Sequence, residues 1–140
     1  MTEYSFGLLK PDCLKRGIEK EVLSMIGSAG LEIIAIRHVR LTKKEVDIIW
    51  APCAKEYFYN DLVEFSTSGD SVVFIVKGEG AIMRLNELVG HYDPVKAKED
   101  TIRHKFGKTL MENVIHSMGT EETFRKEASL FFVQSTQLIK

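Results

Sequence analysis

Dense apolar runs alternate with amphipathic stretches along this chain. "YSFGLL" (4–9) and "SVVFIVKG" (71–78) are short and crowded with Phe, Val, Ile and Leu, and read as buried strands. "LEIIAIRHVRL" (31–41) is rich in β-branched residues and predicts a longer strand. "SLFFV" (129–133) predicts a last strand. Between the runs the apolar period lengthens. Val22, Leu23 and Ile26 share one helical face, in a segment where Asp12 is the expected cap, Gly17 an early break and Gly30 the stop. Thr42 and Glu45 form a capping box at the start of "TKKEVDIIW". "YNDLVEFSTSG" predicts a short helix, and Ile82, Leu85, Leu88 and Val89 another, closed by Gly90. "HYDPVKAKED" reads as a loop, "TIRHKFG" as a helical turn or loop, and Thr120 caps a helix that runs into "SLFFV".

The order is strand, helix, strand, two short helices, strand, helix, loop, helix, strand. With its insertions this is the βαββαβ pattern of a ferredoxin-like α/β (α+β) sandwich. Its sheet should be four-stranded and mainly antiparallel, with helices on one face. Residues 1–140 are expected to form one domain, because a chain of 140 residues buries about two-thirds of its unfolded surface. Charge narrows the partners. Nineteen basic and 20 acidic side chains leave a net charge of −1, which gives no bulk attraction to nucleic acid or to an anionic membrane. No apolar run approaches a membrane span and the N-terminus does not read as a signal peptide. Cys13 and Cys53, forty positions apart, fit no metal-ligand spacing and read as reduced thiols of a cytoplasmic protein.

Phosphate loops are absent. "FGKT" (106–109) resembles the end of a Walker A motif, but Ile102 stands where its first glycine belongs, and "GEGAIM" has Met83 at the third glycine of a dinucleotide loop. Among the four histidines, His38, His91 and His104 lie in strand, turn and basic-run contexts that need no chemistry. His116 follows "LMENVI" and precedes a small-residue loop, a setting open to a catalytic or a structural role. Lys10 ends the first strand beside Pro11, either exposed or aimed into a cleft. Arg103 is a phosphate fork or a surface charge, and Phe58 a stacking platform or a core aromatic.

"LLKPDCLKRG", "LVEFSTSG", "DTIRHKFG" and "ENVIH", followed by "EASLFF", stand together in an order that resembles the nucleoside diphosphate kinase family, from about Tyr4 to Phe132. K-P-D after the first strand and N-x-x-H near the C-terminus are its most specific pieces. The resemblance implies a kinase that moves the γ-phosphate of ATP or another nucleoside triphosphate to a nucleoside diphosphate. It implies a ping-pong route through a phosphohistidine, with Mg²⁺ on the nucleotide phosphates and no metal held by the protein. It assigns His116 as nucleophile, Lys10 and Arg103 to the phosphates, Asn113 to the sugar, Phe58 to the base and Glu127 to orienting the histidine. It also implies a homo-oligomer, hexamer or tetramer.

This sequence departs from the family pattern at several positions. Ser117, Met118 and Gly119 follow the histidine where Gly-Ser-Asp is usual, Asn86 stands for a phosphate arginine, Tyr92 for a threonine, and Trp50 for a tyrosine. These changes leave a second reading open beside the kinase: a catalytically weak or inactive nucleotide-binding or regulatory module on the same fold.

Overall fold

In a computed structural model, residues 2–132 are described. Four strands, β1 (Thr2–Leu9), β2 (Glu32–Val39), β3 (Ser71–Glu79) and β4 (Ile115–Ser117), form one sheet in the order β2-β3-β1-β4. Every pairing is antiparallel: Leu9 faces Val72, Val39 faces Ser71 after an irregularity between Ile33 and Ala35, and Leu8 faces His116. The β-branched run of β3 is buried from Ser71 to Val76, as befits an inner strand covered on both sides. Gly7 is glycine for a steric reason. A Cβ there would sit 2.2 Å from the Phe74 ring, which crosses β1 at this point.

The helices are α1 (Pro11–Lys15), α2 (Glu19–Ser28), α3 (Lys43–Ile49), α4 (Tyr59–Ser66), α5 (Ala81–Val89), α6 (Ile102–Phe106) and α7 (Glu121–Ala128). Strand alternation sends Leu9, Val72, Phe74 and Val76 to a core shared with Val22 and Ile26 of α2 and Leu85 and Val89 of α5. Phe6, Leu8, Val73 and Ile75 point the other way, onto Val46 and Ile49 of α3, Leu62 of α4 and Phe124 and Ala128 of α7. The expected single helical face therefore holds for α2 and α5 of the βαββαβ core. The inserted α3 and α4 and the C-terminal α7 cover the opposite face, whereas α6 adds Ile102 to the first.

Local chemistry explains most boundaries. The Thr42–Glu45 capping box is complete, with Thr42 Oγ1 accepting from the Glu45 amide and Glu45 from the Thr42 amide. Gly17 breaks the first helical segment at φ +67°, a backbone state glycine enters without strain. Thr101 and Thr120 cap α6 and α7. Two expectations fail. Asp12 is not the cap of the first helix: that position is Lys10, and Asp12 lies inside α1. The last strand is not at "SLFF", where residues 129–131 follow α7 in turns and Phe131 stacks on Phe6 at 5.9 Å; Val133 lies outside the described residues. The fourth strand is instead the three residues around His116.

Candidate active site

The K-P-D segment and the 111–114 loop fasten each other. The Lys10 amide donates to the Val114 carbonyl (2.8 Å), and the Val114 amide donates to Asp12 Oδ2 (3.1 Å). Lys10 Nζ donates to Asn113 Oδ1 (2.8 Å) and to the Met111 carbonyl (3.3 Å). Asn113 Nδ2 in turn donates to the Tyr92 and Leu110 carbonyls. Held this way, Val114 takes φ +80°, a left-handed state that a β-branched side chain resists. The strained residue sits two positions before His116.

β4 places His116 opposite Leu8, on the face that carries α7. Its Nε2 is 2.8 Å from Glu127 Oε1, with the His116 and Glu127 side chains 14% and 3% exposed. A proton on Nε2 donated to this carboxylate leaves Nδ1 as the nitrogen with a lone pair. Trp50, at the C-terminal end of α3, lies 5.0 Å from the His116 ring, and Lys10 Nζ stands 5.7 Å from the Trp50 ring. Arg103 reaches the same region from α6. Its Nη1 donates to the Gly90 carbonyl (3.1 Å) and its Nη2 to the Ile115 carbonyl (2.6 Å), while its Nε is buried with no partner among the described residues.

Burial shapes the charges. Lys10, 4% exposed, has its pKa lowered to about 7, first by loss of water and then by the Arg103 charge. Burial also lowers Arg103, to about 10, and raises Asp12. The site therefore holds two cations whose charge is poorly compensated by protein carboxylates, an arrangement that favours an anion. The nearby carboxylates are engaged, Glu127 with His116 and Asp12 with the Val114 amide. Among the described residues no group of three or more His, Cys, Asp or Glu side chains could hold a metal ion.

Five of the six expected site residues thus converge: Lys10, Arg103, Asn113, His116 and Glu127. Phe58 belongs to another segment, at the start of α4, half-buried and edge-on to the exposed Tyr57. The departing residues have definite places. Asn86 Nδ2 donates to the Met118 carbonyl (2.9 Å), and Ser117 Oγ donates to Asn86 Oδ1 (2.5 Å). Met118 is buried, its sulfur accepting from Ser5 Oγ (3.2 Å), so Ser117 does not take over a hydroxyl's place beside Glu127. Tyr92 is exposed and stacks on His91 at 4.4 Å. The part of Asp12 was missed in the sequence, since its partner is 102 residues away; the K-P-D motif itself was the available signal.

The model of the nucleoside diphosphate kinase family matches residues 3–137. A nucleoside diphosphate kinase of Methylobacterium radiotolerans is 36% identical over 134 residues, 96% of each chain. One from Campylobacter hominis is 34% identical over 130 residues, 93% of this chain and 95% of the relative. Among solved structures, the nucleoside diphosphate kinase of Halobacterium salinarum in complex with CDP superimposes with a TM-score of 0.89 at 28% identity, over 94% of this chain and 88% of that one. The apo enzyme of Encephalitozoon cuniculi gives a TM-score of 0.90 at 25% identity, over 93% and 88%. No described helix is long and apolar enough to cross a membrane. The chain belongs to the nucleoside diphosphate kinase family and is a phosphotransferase of that kind.

Proposed function

We propose that the protein transfers the γ-phosphate of a nucleoside triphosphate to a nucleoside diphosphate, with His116 Nδ1 as the carrier. The observation that carries this reading is the Glu127–His116 contact, which occupies Nε2 and leaves Nδ1 for phosphorus. In the first half-reaction the Nδ1 lone pair forms a bond to the γ-phosphorus. The bond from that phosphorus to its bridging oxygen breaks, and its electron pair leaves with the nucleoside diphosphate. The proton stays on Nε2, where Glu127 offsets the positive charge that develops on the ring. In the second half-reaction a terminal oxygen of the acceptor diphosphate attacks, the N–P bond breaks and its electrons return to Nδ1.

Lys10 and Arg103 supply charge to the phosphates. Arg103 Nε is a buried donor with no partner among the described residues, and a phosphate beside the guanidinium would offset its charge. Asn113 meets the sugar and Phe58 the base, whose stacking discriminates little among bases. Mg²⁺ fits this cationic donor set only as part of the nucleotide, bound by its phosphate oxygens, where it supplies further charge neutralisation. A single domain over 1–140, a homo-oligomer (hexamer or tetramer) and a cytoplasmic setting complete the reading. An intact histidine–carboxylate pair beside two poorly compensated cations supports a working carrier over the non-catalytic nucleotide-binding module.

The test is labelling with γ-labelled ATP. Acid-labile phosphate is expected on the protein, as 1-phosphohistidine, and none on His116→Ala. Label that persists in that variant, or that appears as 3-phosphohistidine, overturns the assignment.

A further inference from the structure

Trp50 touches both of the groups that the proposed function brings to one phosphoryl group. Its ring lies 5.0 Å from the His116 ring at 56°, and 5.7 Å from Lys10 Nζ. Neither partner is fully fixed without it. Among the described residues the His116 side chain has one hydrogen bond, at Nε2, which anchors a point on the ring but not its plane. Lys10 Nζ has two acceptors, Asn113 Oδ1 and the Met111 carbonyl, and its ammonium carries three donors.

We infer that Trp50 is a positioning residue for phosphate transfer: its indole sets the plane of the His116 imidazole and steadies the Lys10 ammonium, so that Nδ1 and Nζ converge on one phosphorus. The inference rests on His116 being the phosphate carrier. Trp50 takes no proton and forms no bond in the reaction.

The choice of an aromatic has a physical reason. A carboxylate beside Lys10 would also steady the ammonium, but it would neutralise the charge that the phosphate needs. An indole face attracts a cation through its quadrupole and leaves the net charge in place. Lys10 is buried and already strained in its charged form by lost hydration and by Arg103, so an uncharged partner matters more here than at a surface. The indole has no hydroxyl, and its single donor is the Nε1–H. The role assigned to it passes through the two groups that its ring faces.

Trp50→Leu keeps apolar bulk and removes the ring, while Trp50→Phe restores a smaller ring. With saturating ATP, the labelling rate of His116 is expected to fall about tenfold in Trp50→Leu and to return to within about threefold in Trp50→Phe. Nucleotide affinity should change less than about threefold in both, since the ring is assigned to transfer and not to binding. The ring N–H proton of His116 should be sharp in NMR spectra of the wild type and Trp50→Phe and broadened in Trp50→Leu, a readout that needs no turnover. Because the chain has one tryptophan, its fluorescence should also change on phosphorylation of the wild type and stay constant in His116→Ala. Wild-type labelling speed in Trp50→Leu, a loss confined to nucleotide affinity, or no rescue by Trp50→Phe would each overturn the inference. A wild type that never labels strikes the proposed function instead. In that case an unbroadened His116 signal in Trp50→Leu is what removes the positioning role.

Discussion

The strand that carries His116 has two unlike flanks. Toward Glu127, the K-P-D segment and Arg103 of α6, polar groups are anchored by some atoms and leave others spare. His116 Nε2 is taken by Glu127, Lys10 Nζ is held by Asn113, and Arg103 keeps a buried Nε with no partner among the described residues. Around Asn86 of α5 and the end of the strand, the polar atoms close on one another. Ser117 donates to Asn86, Asn86 to the Met118 carbonyl, and Ser5 to the Met118 sulfur. Buried polar groups that satisfy each other hold a shape, whereas a buried donor left over calls for a ligand. By the family resemblance Asn86 stands where a phosphate arginine is usual, and it lies on the self-satisfied flank, whereas the five converging groups lie on the other. The Asn86 side chain is spent on fastening the end of the strand.

The largest effect should come from the open flank. Glu127→Gln keeps the shape and removes the charge that faces the imidazolium-like ring. Labelling at His116 should fall about 10- to 100-fold, the usual range when a group that orients a catalytic ring is changed. The measurement is the single-turnover rate with γ-labelled ATP. An unchanged rate would break the comparison at its centre.

Next is Asp12→Ala. It leaves the buried Val114 amide without an acceptor and should cost about 1–3 kcal/mol of stability in urea unfolding. Labelling should also fall, because the left-handed Val114 is released two residues before His116. Asp12→Asn retains an oxygen acceptor and should stay within about 1 kcal/mol of wild type.

Asn86→Arg sharpens the contrast. It restores the cation that the family resemblance expects, but it removes two hydrogen bonds around Ser117 and Met118. If the closed flank works by holding β4, stability should drop by about 1–3 kcal/mol and labelling should not rise. A several-fold gain in rate would instead mean that charge, not the clamp, limits transfer. Ser117→Ala, which removes one of the two bonds, should cost about 1 kcal/mol.

How much of this was legible follows the reach of each interaction. The capping box at Thr42 and Glu45 is written within four residues, and β3 announces itself by an unbroken buried run. The order of elements was enough for the ferredoxin-like pattern. β4 was missed because three residues cannot display a period, and its centre is a histidine. "SLFF" drew the strand assignment instead because it is apolar, but its apolarity serves the core beneath Phe6. In the site, the N-x-x-H and K-P-D motifs pointed to His116, Asn113 and Lys10. The sequence could not show that Asn86 faces Met118 or that Trp50 lies against both the His116 ring and Lys10 Nζ. Those contacts join distant segments, and no local rule encodes them.

A further effect concerns Lys10 and pH. Its pKa falls from 10.5 in the unfolded chain to about 7 in the fold. Above about pH 7 the folded protein has released a proton that the unfolded chain still binds, so stability rises with pH through this window. Below it both states are protonated, and the full penalty of the buried charge remains. The rise is cleanest below pH 9, where the Cys13 thiol, raised from 9.0 to about 12, begins to act in the opposite sense. Urea midpoints of the nucleotide-free protein should therefore climb from pH 7 to 9, and Lys10→Met should flatten the climb. Bound nucleotide adds negative charge beside Nζ, which favours the ammonium and should flatten it in the wild type as well. A climb that persists undiminished in Lys10→Met would assign the titration to another group, and Lys10 would lose its place as the open flank's poorly compensated cation.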